Sequence, residues 1–246
     1  MLARRGPLAV VSMAVSVLTV LALAVVALVL ARHGSDAPVP SVPALASSAI
    51  VWGGAFLQAV SVASGALRRD RAEGVRQLFI ARTTTLRGYL LGRVGGLAVV
   101  LAAVAGGGTL IVSVVAVLAA TQGDVLLLTI QGALGAVLHA TAFAFVIAPV
   151  VFATLGSRTR FGGYFALLLV LVVPELIVAA VGSRFPSEVT ELCAIPSALA
   201  TLRSSLAPGS VDVFRLLRAV VVLAFYASVA TLVVRRDAVF VGAEEA

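Results

Sequence analysis

Residues 125–155 read VLLLTIQGALGAVLHATAFAFVIAPVVFATL, a continuous apolar run containing neither an acid nor an arginine. A helix needs roughly 20 apolar residues to cross a hydrocarbon core about 30 Å thick, and this run has them to spare. Five more runs of this kind flank it, over 8–31, 45–67, 97–120, 162–182 and 216–234. All six are continuous rather than alternating in short blocks, which selects helices over a transmembrane barrel. Composition agrees. Of 246 residues, 61% are hydrophobic and only 12% charged, whereas a soluble domain carries about 25% charged residues. Mean hydropathy is +1.14. The expected fold is all-α, one transmembrane domain over 1–246 built as a bundle of six helices. The first run follows Arg4 and Arg5 as a signal peptide would, but it greatly exceeds the roughly 7–15 residues of a signal's apolar region and ends in no small-x-small site. It is expected to stay as the first span.

All 18 basic residues are arginine. A phosphate-binding loop places a lysine on the nucleotide phosphates, so this chain is not expected to hydrolyse ATP by that route, and Schiff-base chemistry is excluded with it. One cysteine and two histidines cannot make a disulfide framework or a structural metal cluster. No cofactor and no metal are expected. A pI near 11.1 would point to nucleic acid in a soluble protein; here it follows from membrane orientation, and no nucleic-acid partner is expected. Arginines in short loops mark the cytoplasmic side. Arg4, Arg5, the seven from Arg68 to Arg93, Arg158, Arg160, Arg235 and Arg236 fall on one side, against Arg32, Arg184, Arg203, Arg215 and Arg218 on the other. Six spans then put both termini in the cytoplasm. The Ala/Val/Arg/Gly bias is that of a GC-rich bacterial genome, which makes the expected location a bacterial inner membrane.

The connections differ in kind. Residues 32–44 are short and proline-rich, and 121–124 form a minimal turn. Residues 183–212 are long, half apolar and interrupted by Pro186, Pro196 and Pro208. Apolar side chains at Val189, Leu192, Cys193, Leu199, Leu202 and Leu206 suit two short helices dipping back into the outer leaflet, because non-helical backbone there must be covered or wet. Glycines recur in the spans, at Gly92 and Gly96, Gly106 to Gly108, Gly132 and Gly135, and Gly162 and Gly163, where small residues let helix backbones approach.

Residues 70–93, DRAEGVRQLFIARTTTLRGYLLGR, break the apolar pattern. Over 69–80, Ala72, Val75, Leu78 and Phe79 share one helical face, while Arg69, Asp70, Glu73, Arg76 and Gln77 share the other. Such a helix lies in the interface, with its stripe in lipid and its charges toward the cytoplasm. Asp70 and Glu73 would sit in its first turn, where the macrodipole favours acids. Pairing of Arg69 with Glu73 is worth a few tenths of a kcal/mol at most, too little to explain the acids.

This stretch resembles permeases of type-2 ABC exporters, which carry an acid-Arg-x-x-Gly-x-x-x-x-Leu segment after span two and a Leu-Leu-Gly-Lys entry into span three. Asp70 and Arg71 match the opening pair, Glu73 and Gly74 the acid-glycine step, Leu78 and Phe79 the apolar pair, and Leu90, Leu91, Gly92 and Arg93 the entry. The resemblance implies a non-enzymatic transport subunit that works with a cytosolic ABC ATP-binding subunit and a second permease copy or homologue. It also implies re-entrant helices between spans five and six, and coupling contacts to the ATPase from Asp70, Arg71, Glu73, Gly74 and Arg76. A second resemblance, carried by SRTRFGGYFALLLVLVVPELI after Gly156, is to the haem-exporter-like membrane subunit of cytochrome c maturation. A non-transporting scaffold or assembly protein is the third alternative.

Polar groups at membrane depth are costly and are functional candidates by default. Glu175, following Pro174, has three readings: binding a cationic substrate, closing an outer gate with an outer arginine, or donating a hydrogen bond while protonated. His139, near the middle of the fourth run, is expected to be a neutral hydrogen-bonded residue. Gln58 and Gln131 are expected to bond across helices. An intramembrane protease is disfavoured: Asp70, Asp124, Asp212 and Asp237 lie outside the runs, and no H-E-x-x-H segment is present.

Overall fold

The structure is a computed structural model and describes residues 7–32, 39–75, 77, 85–120, 123–156 and 160–243. It is all-α over these residues. Six helices are long and apolar enough to cross a membrane: Val10–Val29, Val42–Asp70, Gly88–Ala119, Gly123–Gly156, Phe161–Ala180 and Val213–Arg236. They are numbered here as spans 1 to 6. The chain is a multi-pass integral membrane protein.

Span 4 is the hub. Most of it is buried, and it packs against spans 2, 3 and 6 and against a shorter helix, Ile195–Ser204. Its buried face carries Phe143, Ile147 and Val151 among small residues such as Ala136, Ala140 and Ala144. Spans 1, 5 and 6 instead turn long apolar side chains outward, for example Leu18, Phe161, Phe165 and Phe225, as the lipid-facing members of a bundle should.

Close backbone approach explains two of the glycine positions. A Cβ at Gly54 would lie 2.9 Å from the Cα of Ser16, so spans 1 and 2 could not keep their contact with a side chain there. Across the bundle, a Cβ at Gly135 would meet the carbonyl oxygen of Arg203 at 3.0 Å, which seats the 195–204 helix against span 4.

Spans 2, 3 and 4 each contain a short π-helical stretch, over Ile50–Ala55, Ala102–Gly106 and Phe152–Gly156. The wider turn rotates the residues that follow it and recurs at functional positions. In span 2 it carries Trp52.

The charged connection differs from the sequence expectation. Span 2 bends at Ser64–Gly65, where Gly65 has φ +64°, and continues as a helix over Ala66–Ala72. Gly74, at φ +67°, is in the left-handed region that favours glycine, so no continuous helix covers 69–80. Leu78 and Phe79 lie outside the described residues. Asp70 falls in the second turn of its helix and Glu73 beyond its last residue, so neither meets the positive end of the dipole. Thr85 then caps a helix from Leu86, its Oγ1 accepting from the backbone N–H of Gly88 at 3.2 Å. The third span therefore begins near residue 88 rather than 97. The apolar count stopped there because of Arg93, a charge whose partner lies in span 2.

Between spans 5 and 6 the chain forms a helical turn over Ser187–Thr190 and the Ile195–Ser204 helix, with Ile195, Ala198, Leu199 and Leu202 fully buried against spans 4 and 6. Val189 and Cys193, expected on its apolar side, are exposed. Arg215 holds this segment to span 6 by a bidentate pair with Glu191 at 2.9 and 2.5 Å, the geometry in which arginine binds carboxylate best. Asp212 caps the last helix through the N–H of Arg215 at 2.9 Å. Gln131 closes the 209–210 turn, donating to Ser210 O and accepting from Gly209 N, each at 3.1 Å. Gln58 does not match its expected role, since its buried Oε1 has no hydrogen-bond partner among the described residues.

Gly54→Ala should lower the thermal midpoint of the purified protein by an amount equivalent to about 1–3 kcal/mol of overpacking. Gly53→Ala, where an added Cβ meets nothing within 4 Å, should leave the midpoint unchanged or raise it. Equal midpoints for the two variants would refute the proposed packing of spans 1 and 2.

Candidate functional site

Two polar assemblies occupy opposite ends of the bundle. The first is built where spans 2 and 3 meet. Helix Ala66–Ala72 carries Asp70 inward, where the residue is 7% exposed. Tyr89 Oη donates to its Oδ2 and Arg93 Nη2 to its Oδ1, and the Arg93 guanidinium also sits 5.9 Å from the centroid of the Tyr89 ring. Tyr89 and Arg93 are four residues apart on one helix, hence on the same face. They grip both carboxylate oxygens at once. The expectation that Asp70 shares the solvent face with Arg69 and Glu73 is therefore corrected: its charge is neutralised inside the connection.

The same helix is tied to span 4. Gly65 N–H donates to Leu155 O at 3.1 Å, and the space over Gly156 is filled by Leu67, whose Cδ1 would lie 3.1 Å from an added Cβ. The 66–72 helix is thus fastened to span 3 by charge and to span 4 by backbone and packing. Glu73, Arg68 and Arg69 remain exposed, with Arg69 donating to Ser64 O at 3.3 Å. Arg76 and the side chain of Arg71 lie outside the described residues.

The second assembly is a cavity of about 320 Å³ at the end of the bundle near the 195–204 helix. Span 4 contributes His139, span 2 contributes Ser48 and Trp52, and span 5 contributes Glu175; Ser197 and Arg203 come from the 195–204 helix. Pro174 stands in the first turn of the helix Val173–Val181, which restarts span 5 after a turn at Val172, and this restart presents Glu175. Glu175 Oε1 accepts from both the N–H and the Oγ of Ser197, each at 2.7 Å. His139, almost fully buried, has Nδ1 3.2 Å from Ser47 Oγ.

Arg203 Nη1 donates to Ala44 O at 3.0 Å and to Ser48 Oγ. Burial pulls the Arg203 pKa below the ordinary arginine value, and a group of that basicity still stays charged. Trp52 is held by aromatic neighbours, edge-on to Phe143 with centroids 5.4 Å apart and tilted against Phe56 at 5.8 Å.

Glu175 and His139, singled out separately in the sequence, thus come together on one cavity. Sequence inspection offered Glu175 an outer arginine without singling out Arg203, and it missed Trp52, Ser197 and Ser48 as companions. The proline before Glu175 was the available signal; the rest depends on helices far apart in the chain. Among the described residues no group of three or more metal-ligating side chains occurs. In comparison with known proteins, no family model, no curated protein and no solved structure matches the chain.

A double-mutant cycle tests the connection between spans 2 and 3. Asp70→Asn and Arg93→Gln should each destabilise the protein, and together by less than their sum, leaving a coupling of about 1–3 kcal/mol. Strict additivity in thermal or denaturant unfolding would contradict the pairing.

Proposed function

We propose that this protein is the membrane-spanning permease subunit of an ATP-driven exporter of the type-2 ABC class, energised by a separate cytosolic ATP-binding subunit. The observation that carries the reading is the 66–74 segment, which presents exposed charges while fastened to two different spans. A surface helix needs only solvation. A lever needs an outside face for a partner and a stiff attachment inside, and this segment has both.

Closure of the ATP-binding subunits pushes on Glu73 and the Gly74 turn. Asp70 passes that push to span 3 through Tyr89 and Arg93. Gly65 and Leu67 pass it to the Leu155–Gly156 end of span 4. Span 4 runs through the centre of the bundle and carries His139 into the cavity at the other end. Displacing span 4 at one end therefore reshapes the cavity at the other, as alternating access requires. The Gly74 turn, with nothing within 4 Å of an added Cβ, leaves room for close approach by the ATPase.

In this reading the lever and both termini lie in the cytoplasm of a bacterium, with the cavity toward the outer face of the inner membrane; the arginine distribution supports that orientation. One six-span subunit supplies half a pathway, so a second copy or a homologue completes it. The outward apolar faces of spans 1, 5 and 6 serve lipid and that second subunit. The resemblance at Asp70–Gly74 and Leu90–Arg93 supports the same class.

Co-expression with the ATP-binding subunit should give a complex whose ATPase rate exceeds that of the ATP-binding subunit alone. Glu73→Arg should leave insertion and thermal midpoint unchanged and abolish the stimulation. Wild-type stimulation in Glu73→Arg would contradict the lever; failure of any ATPase to co-purify would favour the scaffold alternative.

A further inference from the structure

We propose that the cavity lined by Trp52, His139, Glu175 and Arg203 binds a zwitterion: a small group bearing a primary ammonium and, a few ångströms away, a phosphate or carboxylate.

Two charged side chains, Glu175 and Arg203, share this cavity without sharing a bond. Among the described residues Glu175 engages only Ser197, and only through Oε1. Its Oε2 makes no hydrogen bond among the described residues. Arg203 uses Nη1 on Ala44 O and Ser48 Oγ, both uncharged. The two side chains are not within ion-pair distance of each other, and neither has an opposite charge at hand among the described residues. A charge held in apolar surroundings without a counter-charge is costly. Where such an arrangement persists, it is suited to a ligand that brings the missing charges.

The charge balance then selects the ligand. A simple cation would satisfy Glu175 and be repelled by Arg203; a simple anion would do the reverse. A neutral polar molecule would leave both uncompensated. Only a ligand carrying both signs answers both residues.

His139 sharpens the cationic half. Ser47 Oγ donates its proton to Ala44 O at 2.9 Å, so the contact with His139 assigns the proton to Nδ1 of the ring. Nε2 is then an acceptor. With Glu175 Oε2 it gives the cavity two acceptors, which suit an ammonium that has N–H groups to donate. A quaternary ammonium has none. Trp52 adds an aromatic wall, on which a cation gains further. Arg203, with N–H groups left over, is a natural partner for phosphate or carboxylate.

This binding needs no ATPase, so it stands or falls apart from the coupling mechanism. Trp52 is the one tryptophan of the chain, and its emission reports on this cavity alone. The full chain would be reconstituted in liposomes of phosphatidylglycerol, which bears no ammonium, and titrated with phosphoethanolamine, β-alanine, ethanolamine and inorganic phosphate. A saturable change in Trp52 emission is expected with at least one of the two zwitterions, about tenfold tighter than with either single-charge probe; tenfold corresponds to one charge-assisted contact. A response to phosphoethanolamine alone assigns a phospholipid headgroup, and a response to β-alanine alone assigns an amino-acid type of ligand.

Glu175→Gln keeps an oxygen for Ser197 to bond and should weaken zwitterion binding about tenfold, while strengthening any weak response to phosphate, because the repelling carboxylate is gone. Ala200→Leu, which narrows the cavity without removing a polar group, should abolish the response at an unchanged thermal midpoint. Equal affinity for ethanolamine, phosphate and the zwitterions would overturn the proposal. So would a flat titration with all four in protein of normal midpoint, or wild-type affinity in Glu175→Gln.

Discussion

In an apolar bundle the few charges must find partners, and where each one finds its partner organises this molecule. Water is absent from the hydrocarbon region, so a carboxylate or guanidinium there either pairs, snorkels to the interface or awaits a ligand. Asp70 pairs inward with Tyr89 and Arg93, and so locks the segment between spans 2 and 3 to the bundle. Glu191 pairs with Arg215 and pins the segment between spans 5 and 6. Glu175 and Arg203 take neither course. They face a common cavity with no opposite charge paired to either among the described residues, and that exception is what marks the cavity out.

The two ends are linked by the helix between them. Span 4 receives the connection helix at Leu155 and Gly156, gives His139 to the cavity, and seats the 195–204 helix over Gly135. Its burial makes it stiff, because dense packing resists graded deformation and favours switching between discrete arrangements. Spans 1 and 5 touch less of the core and present more of their surface outward, as befits elements whose neighbours are lipid or another subunit.

Much of this was legible in the sequence. The six spans follow from run length alone, since each run is apolar over about the length needed to cross a hydrocarbon core. The boundaries at Asp70 and Gly88 were not legible, because a hydropathy count treats Arg93 as a stop while the structure neutralises it with a residue 23 positions earlier. The amphipathic helix over 69–80 failed for a local reason: Gly74 spends its freedom on a left-handed turn, and Asp70, counted on the polar face, turns inward to Tyr89 and Arg93. Glu175 and His139 stood out as polar residues at membrane depth. Their convergence with Arg203 and Trp52 was hidden, because it is made by four elements that meet only in the folded state.

The central claim is that the charged connection and the polar cavity face opposite sides of the membrane, with span 4 between them. Cys193 is exposed at the cavity end and is the only cysteine, so it is a built-in marker for that side. A membrane-impermeant thiol reagent should label Cys193 in intact cells. In a Cys193→Ser background, Glu73→Cys should be labelled only in inverted vesicles. Labelling of both positions from the same side would contradict the account.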